Sequence, residues 1–153
     1  MKRLILLLVM VGLLLTGCVR SVDYSYERDR TFLCPFDTVW RMTMRVLTDR
    51  EEPISAIEKE SGIIVTDFVL FYEGHFGKTV LPMGALEIVK QGRYKLNIVA
   101  QEVGGKTLVS VRAHIEKLSK VFMEDYYTWK PVRSGGLIEN EILEQIATRC
   151  SPS

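Results

Sequence analysis

The chain has 153 residues, and its 20 lysines and arginines nearly balance its 19 aspartates and glutamates. A net charge near zero argues against the strongly basic surface on which nucleic-acid binding depends, so no nucleic-acid partner is expected. Hydrophobic residues make up 47% of the chain, which at this length supports one domain with a real core.

The first element is an apolar leader. Lys2 and Arg3 precede an apolar run over residues 4–15. A run of this length is typical of a signal peptide and is shorter than the roughly 20 residues of a membrane span. It ends in the quartet 15–18, with the sequence LTGC. This quartet resembles the lipobox of bacterial lipoproteins, in which the cysteine, here Cys18, is lipidated and becomes the first residue of the mature chain.

The resemblance implies a signal peptide over residues 1–17 and a lipidated tether over residues 18–30. A lipoprotein cysteine carries two or three acyl chains such as palmitate, and each buried CH₂ contributes about 0.8 kcal/mol to membrane binding. Val19 stands where an aspartate resembles an inner-membrane retention signal. We therefore expect anchoring at the periplasmic face of the outer membrane, with the inner membrane as the less favoured site. The alternative is a short membrane anchor or an ordinary signal peptide with a chance cysteine.

Two further cysteines, Cys34 and Cys150, remain if Cys18 takes the lipid. In an oxidising compartment a pair of cysteines suggests a disulfide. The alternative is two free thiols that lie too far apart to meet, and the sequence leaves both open.

The first helix is predicted over residues 35–50. Asp37 or Thr38 is expected to cap its start. Pro53 prevents continuation beyond Arg50. One apolar face follows helical spacing: Val39, Trp40, Thr43, Val46 and Leu47.

Two β-hairpins are predicted next. The first spans residues 54–71 and turns at Gly62, because a tight turn often needs positive φ. The second joins alternating segments over residues 92–102 and 108–118 through a Gly104-Gly105 turn. In its first strand Tyr94, Leu96, Ile98 and Ala100 are expected to point to one side.

Two less regular segments carry aromatic residues, over residues 70–88 and 121–131. Long loops in compact domains are often functional, and exposed apolar side chains in them indicate a partner surface. The alternative is that the loops fold back over the core. The candidate partner residues are Phe71, Tyr72, Phe76, Tyr126, Tyr127 and Trp129.

A final helix is predicted over residues 137–149, with an apolar stripe that includes Glu141 and with Glu139 in its first turn complementing the helix dipole. An antiparallel sheet needs one covered face, and two amphipathic helices are available to cover it. The predicted fold is α+β, with an antiparallel sheet packed against two helices in the helix-grip manner, over residues 31–150.

No catalytic set is evident. His75 and His114 are isolated in the sequence, and no nucleophile, nucleotide or metal motif occurs. We therefore expect no enzyme activity, no cofactor and no metal.

The order of these elements is similar to the repeat domain of the outer-membrane assembly lipoprotein BamC. The similarity rests on the helix entry at 35–40 (PFDTVW), the hairpin over residues 54–66, the strands that begin at 92–96 (GRYKL) and at Thr107, and the closing helix. It implies a helix-grip fold, no catalytic residues and an envelope protein as partner. The chain departs from that family in having one such domain and in carrying Cys34 and Cys150. A small apolar ligand or lipid held between helix and sheet is the alternative function.

Overall fold

The computed structural model describes residues 26–71, 87–121 and 125–150. Within these ranges, one seven-stranded sheet carries two helices on one face, and each recorded strand pair is antiparallel. The predicted α+β class is therefore confirmed. The elements are β1 (Asp29–Phe32), α1 (Phe36–Asp49), β2 (Ile54–Glu58), β3 (Ile63–Thr66), β4 (Val69–Phe71), β5 (Glu87–Val103), β6 (Lys106–Val121), β7 (Thr128–Val132) and α2 (Leu137–Cys150).

The β5–β6 hairpin is the centre of the sheet. The strand order is β1-β6-β5-β3-β2, with β4 also beside β5 and β7 also beside β6. Gly104 and Gly105 turn the hairpin with φ angles of 60° and 74°, values that favour glycine. The predicted hairpin is confirmed, but it extends to Glu87 and Val121. A bulge between Val89 and Gln91 interrupts the alternation of side chains between the two faces of the sheet. The sequence pattern therefore does not indicate this extension.

The core lies between the sheet and the helices. The predicted buried faces of α1 and of β5 are both confirmed. These faces are apolar at a period of 3.6 residues in the helix and 2 in the strand, so both can be buried against each other. The fully covered side chains include Val39, Val46, Leu47, Ile64, Leu96, Ile98, Val109, Val111, Ile142, Leu143 and Ile146.

The start of α1 differs from the prediction, because neither Asp37 nor Thr38 caps it. Pro35 occupies the N-cap position with a φ of −58°, and its carbonyl accepts the N–H groups of Thr38 and Val39 at 3.0 and 3.1 Å. Asp37 lies inside the first turn and its carboxylate pairs with Lys59 at 2.7 Å. The helix therefore begins two residues earlier than a cap by the Asp37 side chain would require.

Glu139 lies in the first turn of α2 as predicted and is buried there, but the predicted apolar stripe is wrong at Glu141, which is exposed. The Glu139 carboxylate accepts hydrogen bonds from the Ser134 hydroxyl at 2.9 Å, and from the Tyr26 hydroxyl and the Ala113 N–H at 3.3 Å each. A buried carboxylate is tolerated when such donors satisfy it. These donors come from distant parts of the chain, so the helical pattern alone does not predict the burial.

The boundary predicted between tether and domain falls inside β1. Tyr26 is already part of the domain, since its ring packs over Gly136 and its hydroxyl bonds to Glu139. Gly136 has a φ of +83°, and a Cβ there would collide with the Tyr26 ring. The polar composition of the segment does not predict this docking. Residues 19–25 separate Cys18 from Tyr26, the first described residue.

A disulfide links the start of α1 to the end of α2. Cys34, just before α1, forms a disulfide with Cys150, the last residue of α2, with a Cα–Cα distance of 6.2 Å. The two residues are 116 positions apart in the sequence. Closing so long a loop restricts the unfolded chain strongly.

Replacing both Cys34 and Cys150 by serine is expected to lower the free energy of unfolding by about 2–5 kcal/mol, the usual cost of losing a disulfide. Urea denaturation of the mature protein measures this loss, and the oxidised wild type treated with reductant should match the double variant. Equal stability of variant and wild type, or two alkylatable thiols in the non-reduced native protein, would contradict the disulfide.

Candidate interaction surface

One face of the sheet is left without a helix among the described residues. We call it the helix-free face; it consists of the side chains that point away from α1 and α2. Its central row crosses four neighbouring strands, because Leu70 pairs with Arg93, Arg93 with Glu116, and Glu116 with Pro131. Leu70 is 55% exposed, which marks the β4 side of this face as open to solvent.

Arg93 is stacked between two aromatic rings on this face. Its guanidinium carbon lies 4.1 Å from the ring centre of Phe68 and 4.1 Å from that of Trp129. Its Nε donates to a carboxylate oxygen of Glu116 at 2.6 Å. Cation–π contacts of this kind contribute about 0.5–2 kcal/mol each, depending on how far the cation is desolvated.

The sheet register creates this arrangement. Arg93 and Glu116 are directly opposite on β5 and β6. Trp129 lies on β7, opposite Leu118, and its ring meets the Arg93 side chain over β6. Phe68 comes from the segment that leads into β4. Opposite charges at directly paired positions stabilise antiparallel sheets.

Glu116 also contacts a second side chain, since His114 Nε2 lies 3.2 Å from its other carboxylate oxygen. Partial burial alone raises the pKa of Glu116, but the hydrogen bonds from Arg93 and His114 outweigh it and hold that pKa below its ordinary value. The carboxylate is therefore ionised at neutral pH and engaged by both neighbours, which makes it a poor general base.

Three lysines of this face lie over aromatic rings. Lys90 and Lys120 both approach the ring of Tyr127, with their Nζ atoms 5.7 and 5.2 Å from its centre. Lys95 lies 5.3 Å from the ring centre of Phe68. Cations and aromatic rings thus alternate along the face from Tyr127 to Phe68.

The predicted partner residues differ in how exposed they are. Phe71 lies in β4, half-buried against the core, with its ring 6.0 Å from that of Tyr94. Tyr126 and Tyr127 are 67% and 37% exposed, and Trp129 is half-buried over Arg93. Tyr72 and Phe76 lie outside the described residues.

Sequence reasoning missed Phe68, Arg93, Lys95 and Glu116 as members of one surface. The available signal was the Gly104-Gly105 turn, which fixes the register and places Arg93 opposite Glu116. Counting back from the turn would have found that pair. The positions of Phe68 and Trp129 depend on β4 and β7, which have weaker sequence patterns.

A second polar cluster is enclosed in the interior. The Tyr94 hydroxyl donates to Glu52 at 2.7 Å, and Arg50 Nε lies 3.3 Å from the same carboxylate oxygen. Burial, together with the neighbouring Glu52 carboxylate, raises the pKa of Tyr94. Glu52 is only 6% exposed, so this cluster joins α1 to the sheet and is closed to a macromolecular partner.

The described residues contain no group of three histidine, cysteine or carboxylate side chains placed to hold a metal ion. Leu47, Leu96 and Ile142 have no accessible surface, so the part of the helix–sheet interface around these described side chains leaves no water-sized space. Two described hollows are open to solvent. One, of about 290 Å³, lies between Phe36 at the start of α1 and residues 100–102 of β5, and the other, of about 380 Å³, borders Arg45 and Arg149.

Neither helix in the described ranges combines the length and the apolar character needed to cross a membrane. No protein-family model matches the chain, and no curated protein matches it either.

Replacing Glu116 by glutamine tests the ion pair through its pH dependence. Because the folded pKa of Glu116 is lowered, its ionisation stabilises the fold above the ordinary value of 4.5, and this stabilisation is lost as pH falls through the lowered pKa. At pH 7 the free energy of unfolding of the variant should be about 1 kcal/mol lower than that of the wild type.

Urea denaturation at pH 7 and near pH 3 measures this difference. The gap between wild type and the glutamine variant should shrink towards zero at the acid end. A gap that stays constant across this range would show that the carboxylate is not stabilised by its neighbours.

Proposed function

We propose that this chain is a lipoprotein, anchored through Cys18 to the periplasmic face of the outer membrane, whose domain binds a protein partner through the helix-free face without catalysing a reaction. The observation that carries the proposal is the ordered row of cations and aromatic rings on a sheet face that no described helix covers. Ordered aromatic and arginine side chains are the groups that most often dominate protein–protein binding.

The leader supports the anchoring part of the proposal. The LTGC quartet at residues 15–18 follows an apolar run of signal-peptide length. Residues 19–25 separate Cys18 from Tyr26. Even fully extended, this tether spans at most about 28 Å, so the domain would work close to the membrane surface.

The chemistry of the face supports binding over catalysis. Arg93 is engaged by two rings and a carboxylate, and Glu116 is engaged by Arg93 and His114. Groups held in this way present a fixed shape and charge to a partner. The close packing around Leu47, Leu96 and Ile142 gives no support to an apolar ligand enclosed at that part of the helix–sheet interface. A role in envelope assembly or transport follows from the resemblance to BamC.

Photo-cross-linking tests the binding face directly. A photoreactive phenylalanine analogue at Leu70, on the helix-free face, should give discrete protein adducts in intact envelopes. The same analogue at Thr148, exposed on α2, is the matched control and should give none. Adducts of equal yield at both positions, or none at Leu70, would count against this face as the interface.

Replacing Cys18 by serine tests the anchor. Since the acyl chains require the thiol, the variant should remain unprocessed or leave the outer-membrane fraction, while replacing Cys34 and Cys150 by serine should not affect sorting. Fractionation and intact mass measure this outcome. Unchanged processing and fractionation of the Cys18→Ser variant would overturn the anchoring proposal.

A further inference from the structure

We infer that the segment of the partner that contacts this domain is acidic, and that it lies extended along the helix-free face from the Tyr127 end to Lys95. This inference rests on the proposed function, because it names the chemistry of the partner at the same surface. Four cationic side chains and three aromatic rings carry it: Lys90, Arg93, Lys95, Lys120, Phe68, Tyr127 and Trp129.

The first observation is local charge asymmetry. The whole chain is nearly neutral, with 20 basic and 19 acidic side chains. Among the described side chains, Glu116 is the one carboxylate seen to contact this row, and it neutralises Arg93. Lys90, Lys95 and Lys120 form no ion pair with the described residues. Positive charge is thus concentrated on a face of an otherwise balanced protein, which favours an anionic partner.

The second observation is that two like charges converge. Lys90 and Lys120 both lie within 6 Å of the Tyr127 ring centre. The ring attracts each ammonium group, but the two ammonium groups repel each other. A carboxylate bound at this end of the face would offset this repulsion and accept a hydrogen bond from an ammonium group. The Tyr127 end of the face is therefore suited to an acidic side chain.

The third observation is the spacing of the lysines. Along β5, the distance from residue 90 to residue 95 is roughly 17 Å at about 3.4 Å per residue. A single phosphate or sulfate cannot contact both ends of such a row. An extended polypeptide of about five residues can do so, with acidic side chains at its ends and an apolar side chain beside Trp129.

The position of Tyr26 favours a polypeptide over a lipid headgroup. Tyr26 docks on Gly136 and Glu139 at the start of α2, which lies on the helix-covered side of the sheet. The first described residue after the proposed anchor is thus held on the side of the sheet opposite the lysines. This placement favours a helix-free face that meets a protein over one that lies flat on the bilayer.

The experiment uses the full mature chain with its acyl chains, purified in neutral maltoside micelles. The probe is a fluorescein-labelled octapeptide of alternating glutamate and tyrosine, and the matched peptide carries lysine in place of glutamate. Fluorescence anisotropy measures binding to the wild type, to Lys90→Glu with Lys120→Glu, and to a control with Arg41→Glu and Arg45→Glu on α1. The control makes the same charge change at exposed positions away from the face.

The proposal predicts binding of the acidic peptide only, weakened at least tenfold in the Lys90/Lys120 variant and less than twofold in the control. The milder Lys90→Gln with Lys120→Gln variant should weaken binding by an intermediate factor, and circular dichroism should show all variants folded. Raising salt from 50 to 200 mM should reduce the affinity.

Absence of binding, or equal weakening by both charge-reversed variants, would overturn the inference. So would phosphatidylglycerol binding in the same micelles that depends on Lys90 and Lys120 while the peptide does not bind, because it would assign the face to lipid. These failures differ from failure of the proposed function: cross-linked protein adducts at Leu70 that persist in the Lys90/Lys120 variant would retain the binding face and reject only its acidic partner.

Discussion

The long antiparallel pairing of β5 with β6 is the constraint on which the rest of the structure depends. The glycine turn at Gly104-Gly105 fixes its register, and a slip of one residue would move every core side chain to the opposite face. Burial of Leu96, Ile98 and Val111 against the helices makes such a slip costly. The same register places Arg93 opposite Glu116 on the other face. Core packing and the candidate binding surface are thus two consequences of one pairing.

The helical layer supports this pairing from one side only. α1 and α2 are linked by the Cys34–Cys150 disulfide at one end, and at the end of α1 by ion pairs between Asp49 and Arg149 at 2.7 Å and between Arg50 and Glu141 at 3.3 Å. A third link joins this layer to the tether, since Glu139 of α2 binds Tyr26. The helical side of the domain is therefore occupied by these structural contacts. The opposite side is the one through which we propose that a partner binds.

Sequence patterns predicted the fold well where a single periodicity governs a segment. The buried face of α1, the turn at Gly62 and the alternation of β5 all follow from such patterns. The prediction failed where the decisive contact comes from far along the chain. Glu139 is buried because Tyr26, Ala113 and Ser134 supply its donors.

The candidate site shows the same division. The pairing of Arg93 with Glu116 is determined by a turn that is visible in the sequence. The rings that enclose Arg93 come from Phe68 and Trp129, which reach it only through the short strands β4 and β7. Phe71 was expected to lie on the surface, but it belongs to the core face because β4 pairs with β5 in a register that turns it inward. Composition alone cannot distinguish Phe68, which stacks on Arg93, from Phe71, which packs against the core.

Hydroxyl-radical footprinting of the unmodified protein tests the central claim most directly, because reactive side chains stand on both sides of the sheet. Tyr126, Tyr127 and Trp129 report on the region of the helix-free face, while Met42 and Met44 of α1 report on the helical side. If a partner occupies the helix-free face, oxidation of the three aromatic residues should fall several-fold in native envelopes relative to purified protein, with the two methionines unchanged. Equal oxidation of the aromatic residues in both preparations would contradict the account.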